Sequence, residues 1–204
     1  MKVAVLFSGG KDSTYAYFWA KWQGYEPFLL SIKPEPYSMM FHHPNVKATA
    51  KQAKALGAKH MLISATEKDW EQKLLAALKK TKADAIVTGA VESEYQRWRI
   101  ETVANKLDIP HFSPLWHKND VVLKDMLEYF EVYVTAVSAD GLGPEFLGEP
   151  LKKLVDAKKK NIHPLLEGGE AETFVVNAPF FKKTIRIKKW KKEWDGIRGV
   201  AHAK

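Results

Sequence analysis

The most restrictive feature of this chain is a rhythm. Short apolar runs rich in β-branched residues alternate with segments of helical period, and they do so four times before Pro110. Lys2 to Phe7 (KVAVLF) reads as a buried strand that stops at glycines, and Ser13 to Trp22 as a helix stopped by Gly24. Pro27 to Ile32 predicts a second strand and Val46 to Leu56 a helix closed by Gly57. His60 to Ile63 and Asp69 to Lys80 form the third pair. Ala85 to Thr88 and Ser93 to Leu107 form the fourth. Strands joined through helices by such short connections pair in parallel, with right-handed crossovers and helices on both faces. The expected class is therefore α/β, a Rossmann-like parallel sheet. Ligands of such sheets sit beyond the carboxyl ends of the strands, so the loops after Phe7, Ile32, Ile63 and Thr88 should share one site.

Beyond Pro110 the rhythm weakens. Asp120 to Tyr129 reads as a helix, Val132 to Val137 as a strand and Leu151 to Lys160 as another helix. Thr173 to Val176 and Thr184 to Lys188 read as strands, the second with Ile185 and Ile187 inward and Arg186 and Lys188 outward. We place a boundary between Pro110 and Leu115. Residues 1–112 would form a nucleotide-binding domain, and 113–204 a smaller α+β substrate domain with a basic tail.

Composition removes several chemistries. The 204 residues contain no cysteine, which excludes disulfides, thiolate metal sites, persulfide carriers and cysteine nucleophiles. No run approaches the roughly 18 apolar residues of a membrane span, and Met1 to Phe7 runs into Ser8-Gly9-Gly10 without the order of a secretion signal, so a cytoplasmic protein is expected. Net charge is +8, and the segment from Lys182 to Lys204 alone carries nine Lys or Arg against Glu193 and Asp195. Such a tail, with Lys188-Lys189-Trp190-Lys191-Lys192, reads foremost as a solvated outer strand. The same residues would also suit a nucleic-acid partner.

Ser8-Gly9-Gly10-Lys11-Asp12-Ser13 lies between the first strand and the first helix. Two glycines let the backbone turn tightly against an anion, and the amides at the helix start are unpaired donors at the positive end of its dipole. Ser8 and Ser13 add hydroxyls, and Lys11 a compact cation. Asp12 beside a phosphate needs a bridging cation, which assigns it to Mg²⁺. The spacing fits neither a Walker A loop nor GxGxxG. It resembles the PP-loop of the ATP pyrophosphatases, which cleave ATP between its α and β phosphates.

Three further segments bear on function. Gly89 ends the fourth strand, where a missing Cβ lets the chain pass close to a nucleotide. It is followed by Tyr95, Gln96, Arg97, Arg99 and Glu101, with Arg97 and Glu101 four apart on one helix face. Arg97 and Arg99 suit phosphate or carboxylate; an i,i+4 ion pair on a charged helix is the plainer reading. Glu167-Gly168-Gly169-Glu170-Ala171-Glu172-Thr173-Phe174 gathers three acids around two glycines, which calls for a metal, an arginine or a cation such as ammonium unless the turn is simply open to water. Tyr37 to His43 places His42 and His43 in a long loop, as ligands or as polar surface.

Together these segments resemble the diphthine–ammonia ligase family. The resemblance runs from residue 1 to about residue 187. It rests on SGGKDS, His42 and His43, Gly89 to Glu101 with Tyr95-Gln96-Arg97, Pro114-Leu115-Trp116, and EGGEAETF followed by Pro179-Phe180-Phe181-Lys182-Lys183. Two departures stand out. Many members carry a cysteine where Val103-Ala104 follows Glu101, and another where Ala178 stands, so neither cysteine can be needed for the chemistry. The chain resembles the short, archaeal-type form, without the extension of some eukaryotic members. The resemblance implies an ATP-dependent ligase that adenylates the carboxylate of diphthine on translation elongation factor 2. Ammonium then displaces AMP, giving diphthamide and pyrophosphate. Lys11 and the loop would hold ATP, Asp12 the Mg²⁺, Ser31 and Ile32 the adenine and ribose, and Arg97 or Arg99 a carboxylate or the α-phosphate. Glu167, Glu170 and Glu172 would bind ammonium, with one of them taking its proton. Two other readings start from the same loop: a PP-loop ligase that modifies tRNA, and a module that binds ATP without cleaving it.

Overall fold

The computed structural model describes residues 1–33, 45–138 and 141–204. Its first half is the expected parallel sheet with one strand more than the rhythm announced. Strands β1 (Lys2–Leu6), β2 (Glu26–Lys33), β3 (His60–Ser64), β4 (Ala85–Val87) and β5 (His111–Phe112) lie in the order β3-β2-β1-β4-β5, all neighbours parallel. β5 has only two residues, too few to print a pattern in sequence.

Helices cover both faces because the central strands carry consecutive buried apolar residues, Val3 to Val5 in β1 and Ala85 to Val87 in β4. Val3 and Val5 point to one face, where they pack with Ala16 and Tyr17 of α1 (Lys11–Trp22) and Ala53 and Leu56 of α2 (Thr49–Leu56). Ala4, one residue out of phase, points to the other. There it meets Trp70 and Leu74 of α3 (Trp70–Thr81) and Ile100 and Val103 of α4 (Glu94–Asn105). Gly57 closes α2 at φ 65°, the left-handed cap expected of it. None of the described helices is long and apolar enough to cross a membrane.

The first core continues past residue 112. Leu115, Leu165, and Val122 and Met126 of α5 (Asn119–Tyr129) are buried in the same cluster as Val3 and Val5. A second, antiparallel sheet follows, in the order β7-β6-β9-β8. It is built from β6 (Glu131–Val137), β7 (Ala171–Asn177), β8 (Trp190–Trp194) and β9 (Gly199–Ala203), with α6 (Leu151–Asp156) packed against it.

Two expectations fail here. The helix begun at Leu151 ends at Asp156 rather than Lys160, because the chain enters the left-handed region at Lys158 (φ 43°). Thr184 to Lys188 is not a strand. Ile185 and Ile187 are half-buried and Arg186 and Lys188 exposed, as expected, yet the backbone makes no ladder: Ile185 N–H donates to Val176 O (2.8 Å) and Lys188 N–H to Lys204 O (3.0 Å). The basic segment, read foremost as a solvated outer strand, does form one, β8, and pairs it with β9. β8 is an edge strand with four of its five residues exposed, and a strand without a buried face leaves no alternation to read.

Candidate active site

The parallel sheet turns back on itself between β1 and β4, and a cavity of about 470 Å³ opens beyond their carboxyl ends. Ser8, Gly10, Lys11, Asp12 and Ser13 line one side, Thr88 and Gly89 another, and Glu167, Gly168, Gly169, Glu172 and Thr173 close it from the C-terminal half.

The phosphate loop is held by its own hydroxyls. Ser13 Oγ accepts from the N–H of Ser8 and of Gly9, both at 3.2 Å, and donates to Gly10 O at 3.1 Å. Ser8 Oγ accepts from Gly10 N–H at 3.3 Å. The amides expected to point outward are therefore partly engaged inside the loop, and an anion would have to exchange with these serines. Gly9 sits at φ 84°, and a Cβ there would fall 2.2 Å from Gln52 Oε1. β7 fastens the loop from behind: Lys11 N–H donates to Thr173 Oγ1 (3.1 Å) and Val175 N–H to Gly9 O (3.0 Å). Gln52, fully buried, donates from Nε2 to both Gly9 O and Val175 O, each at 2.8 Å.

Gly89 lines the cavity as expected, and its missing Cβ has a further consequence. The group its missing Cβ admits is protein backbone: a Cβ would lie 2.6 Å from the Asp12 carbonyl carbon and 2.8 Å from Ser13 N. The ribose wall expected at Ser31 and Ile32 is also half corrected. Ile32 lines the cavity, but Ser31 is fully buried beneath the loop, donating to Phe7 O (2.6 Å) beside His60 Nε2 (2.9 Å).

Lys11 is only 2% exposed, yet it lines the cavity. Its ammonium donates to Asp12 Oδ2 (2.7 Å) and to Leu165 O (2.6 Å), which leaves one of its three protons for a ligand. Asp12 Oδ1 is buried without a hydrogen-bond partner among the described residues. Burial raises the Asp12 pKa and the charge of Glu172 adds to the rise, while Lys11 opposes both. An orphaned carboxylate oxygen that is costly to ionise, with further acids near, is a chemical fit for a hard cation. No three His, Asp or Glu side chains among the described residues converge to hold a metal by themselves, so Mg²⁺ here would need phosphate oxygens as its other ligands.

The three acids of EGGEAETF take three different positions. Glu167 lines the cavity, but its Oε1 accepts from the N–H groups of Val91, Glu92 and Ser93 at 3.2–3.3 Å, tying the acidic turn to the β4–α4 loop. Burial, then the charge of Asp12, raises its pKa. Glu172 lines the cavity. Glu170 does not: its Oε1 accepts from His163 N–H (2.9 Å), and its Oε2 is buried without a partner among the described residues.

α4 turns to the site a face that carries Gln96, as expected, together with Ile100, and not its arginines. Ser93 caps the helix, accepting from Gln96 N–H, and Gln96 and Ile100, one turn apart, line the cavity. Tyr95 is exposed. The Arg99 guanidinium lies 4.3 Å from the Trp70 ring centre and 3.5 Å from Glu67, and that of Arg97 lies 4.6 Å from the Trp116 ring, so both arginines are engaged away from the cavity. The Arg97–Glu101 ion pair does not form; both charges act instead on His111. His42 and His43 lie outside the described residues.

His111 is hydrogen-bonded through Nε2 to Thr88 Oγ1 (2.8 Å), and burial lowers its pKa to about 4. Its unfolded value is near 6.5, so on acidification the unfolded chain takes up this proton first. The stability carried by neutral His111 is present above about pH 6.5 and lost as the pH falls toward 4. The melting temperature should drop across that window, and His111→Asn should flatten the drop.

Gln52, Thr173 and Ile100 escaped the sequence reading. Gln52 had a signal: with Thr49, Ala53 and Leu56 it occupies the buried face of α2, where an amide needs specific partners.

The chain matches two family profiles, "Diphthamide synthase N-terminal domain" over residues 1–110 and "Diphthamide synthase C-terminal domain" over residues 118–204. It is 30% identical to the diphthine–ammonia ligase of Bos taurus over 221 residues, covering 92% of this chain and 83% of that protein. The Schizosaccharomyces pombe diphthine–ammonia ligase is 32% identical over 91% of this chain, which spans 36% of that longer protein. Among solved structures, a Methanocaldococcus jannaschii protein described as a "predicted subunit of tRNA methyltransferase" aligns with 91% of this chain and 100% of its own, at 21% identity and a TM-score of 0.49.

Proposed function

The chain belongs to the diphthamide synthase family, and from that premise we propose that it is a diphthine–ammonia ligase, using ATP and ammonium to amidate diphthine on translation elongation factor 2 through an acyl-adenylate. One observation carries the reading. The acidic turn 167–172 closes on the phosphate loop at the β1/β4 switch point, so a phosphate-binding loop and a cation-binding turn share one cavity.

A carboxylate has no good leaving group, and transfer to AMP supplies one. The work left to the protein is positioning and charge neutralisation as pyrophosphate departs. The remaining Lys11 proton and the amides of the loop would bind the β and γ phosphates, with Ser8 and Ser13 releasing those amides as they do so. Asp12 would hold Mg²⁺ through Oδ1, and the metal's charge would offset that of the leaving pyrophosphate. Ile32 and Ile100 supply an apolar wall suited to adenine, and Gln96 a side-chain amide toward the substrate carboxylate. Residues 1–112 would supply the nucleotide chemistry and 113–204 most of the substrate face.

The test is incubation with ATP, Mg²⁺, ammonium and elongation factor 2 carrying diphthine. AMP should form, and the factor's mass should change by the exchange of a hydroxyl for an amino group as the carboxyl becomes an amide. ADP in place of AMP would overturn the adenylation chemistry. AMP release with bulk tRNA but not with the factor would move the substrate to RNA. ATP binding without cleavage under any of these conditions would leave a nucleotide-binding module.

A further inference from the structure

His163 lies outside the cavity, yet its hydrogen bonds lead into it. Nδ1 accepts from the N–H of Leu165 (3.2 Å) and of Glu167 (3.3 Å), so it carries no proton. The neutral ring then bears its proton on Nε2, which lies 3.4 Å from Glu92 Oε2 and 3.2 Å from Asn119 Nδ2, itself a donor to Glu92. The turn gathered around Nδ1 is strained. Leu166 sits at φ 59°, unfavourable for a leucine, and its N–H donates back to His163 O (2.8 Å). Two groups project from this turn into the site. Leu165 O accepts from Lys11 Nζ, and Glu167 carries the carboxylate that gathers the amides of residues 91–93.

We propose that His163 is a positioning residue for the reaction: its Nδ1 holds the 165–167 turn in the one conformation that brings Leu165 O onto the Lys11 ammonium and so aims that ammonium at the ATP phosphates. The inference rests on the site assigned above and adds a residue that does not touch the ligand. The carbonyl is the essential element. A lysine with three protons and a single carboxylate partner can swing; with Leu165 O as a second acceptor its remaining proton has a fixed direction. Without the Nδ1 acceptor, Leu165 N–H and Glu167 N–H lose their partner, the left-handed Leu166 keeps only its own bond to His163 O, and the carbonyl is free to turn away.

Two substitutions separate this role from a merely structural one. His163→Asn hangs Oδ1 from Cγ where Nδ1 stood and keeps the acceptor while losing the reach to Glu92. His163→Gln places an amide near the Nε2 position and keeps the link to Glu92 while losing the acceptor. The measurement is the dissociation constant for Mg·ATP by calorimetry, with neither elongation factor nor ammonium present, alongside the melting temperature. We expect His163→Gln to bind Mg·ATP about tenfold more weakly and His163→Asn to stay within about threefold of the unaltered protein. In a Lys11→Met background the difference between the two should vanish. Equal affinity in His163→Gln and the unaltered chain would overturn the proposal. So would equal losses in both variants, or a difference that survives the loss of Lys11. Because the assay contains no acceptor, a chain that binds ATP but never amidates diphthine would still decide the role of His163; a chain that does not bind ATP at all ends both readings.

Discussion

Gly89→Ala should lower AMP formation by about a hundredfold or more, because catalysis by positioning loses roughly that much for a displacement of an ångström. The added methyl would lie 2.6 Å from the Asp12 carbonyl carbon, 2.7 Å from its oxygen and 2.8 Å from Ser13 N. These are backbone atoms, with no rotamer to change. The loop also cannot retreat, since on its far side Gly9 O is bonded to Val175 N–H and to Gln52, and Lys11 N–H to Thr173. The displacement therefore falls on Lys11, Asp12 and Ser13, the residues assigned to phosphate and metal. Overpacking of this kind destabilises by about 1–3 kcal/mol, which a body with two well-filled cores should survive. Steady-state AMP release and the affinity for Mg·ATP check the prediction. A folded variant with unaltered ATP affinity would show that β4 and the loop do not touch as described.

Gln52→Leu should cost about 2–4 kcal/mol of stability, since two buried carbonyls lose a donor that no water can replace. Leucine fills a similar volume, so the loss comes from hydrogen bonding and not from a cavity. One of the two carbonyls, Gly9 O, retains its bond from Val175 N–H; the other, Val175 O, loses the amide that joined it to the loop. The same substitution unlinks α2 from the phosphate loop and from β7, so ATP affinity should fall with stability, even though Gln52 is fully buried and does not line the cavity. Urea unfolding gives the first effect and calorimetry the second. Full stability in Gln52→Leu would mean that the bonds from Val175 N–H to Gly9 O and from Lys11 N–H to Thr173 Oγ1 hold the loop unaided.

Much of the site was readable before the fold was known, and the reason is local. SGGKDS describes a strand-to-helix turn whose glycines and hydroxyls do their work within six residues, and the structure finds Ser8, Gly10, Lys11, Asp12 and Ser13 on one wall. EGGEAETF stood out because three acids in six residues repel one another, and the structure brings Glu167 and Glu172 to the cavity. The sequence could not sort those acids. Glu167, Glu170 and Glu172 are alike in chemistry, and they differ only in what lies opposite: three amides of the β4–α4 loop, the N–H of His163, and the cavity itself. α4 shows the same limit. Its arginines stood out as phosphate ligands, but helix phase against the sheet turns Gln96 and Ile100 inward and leaves Arg97 and Arg99 on Trp116 and Trp70.

The sequence by itself determined the parallel sheet, its helical layers and the phosphate loop at the end of β1, because period and turn chemistry are properties of consecutive residues. Only the tertiary structure decided that Gln52 and Thr173 clamp that loop, that Gly89 makes room for backbone, and that β8 and β9 complete a second sheet. Each of these depends on which distant residue arrives opposite, over separations such as the 162 residues between Lys11 and Thr173, and no pattern in neighbouring residues records that distance.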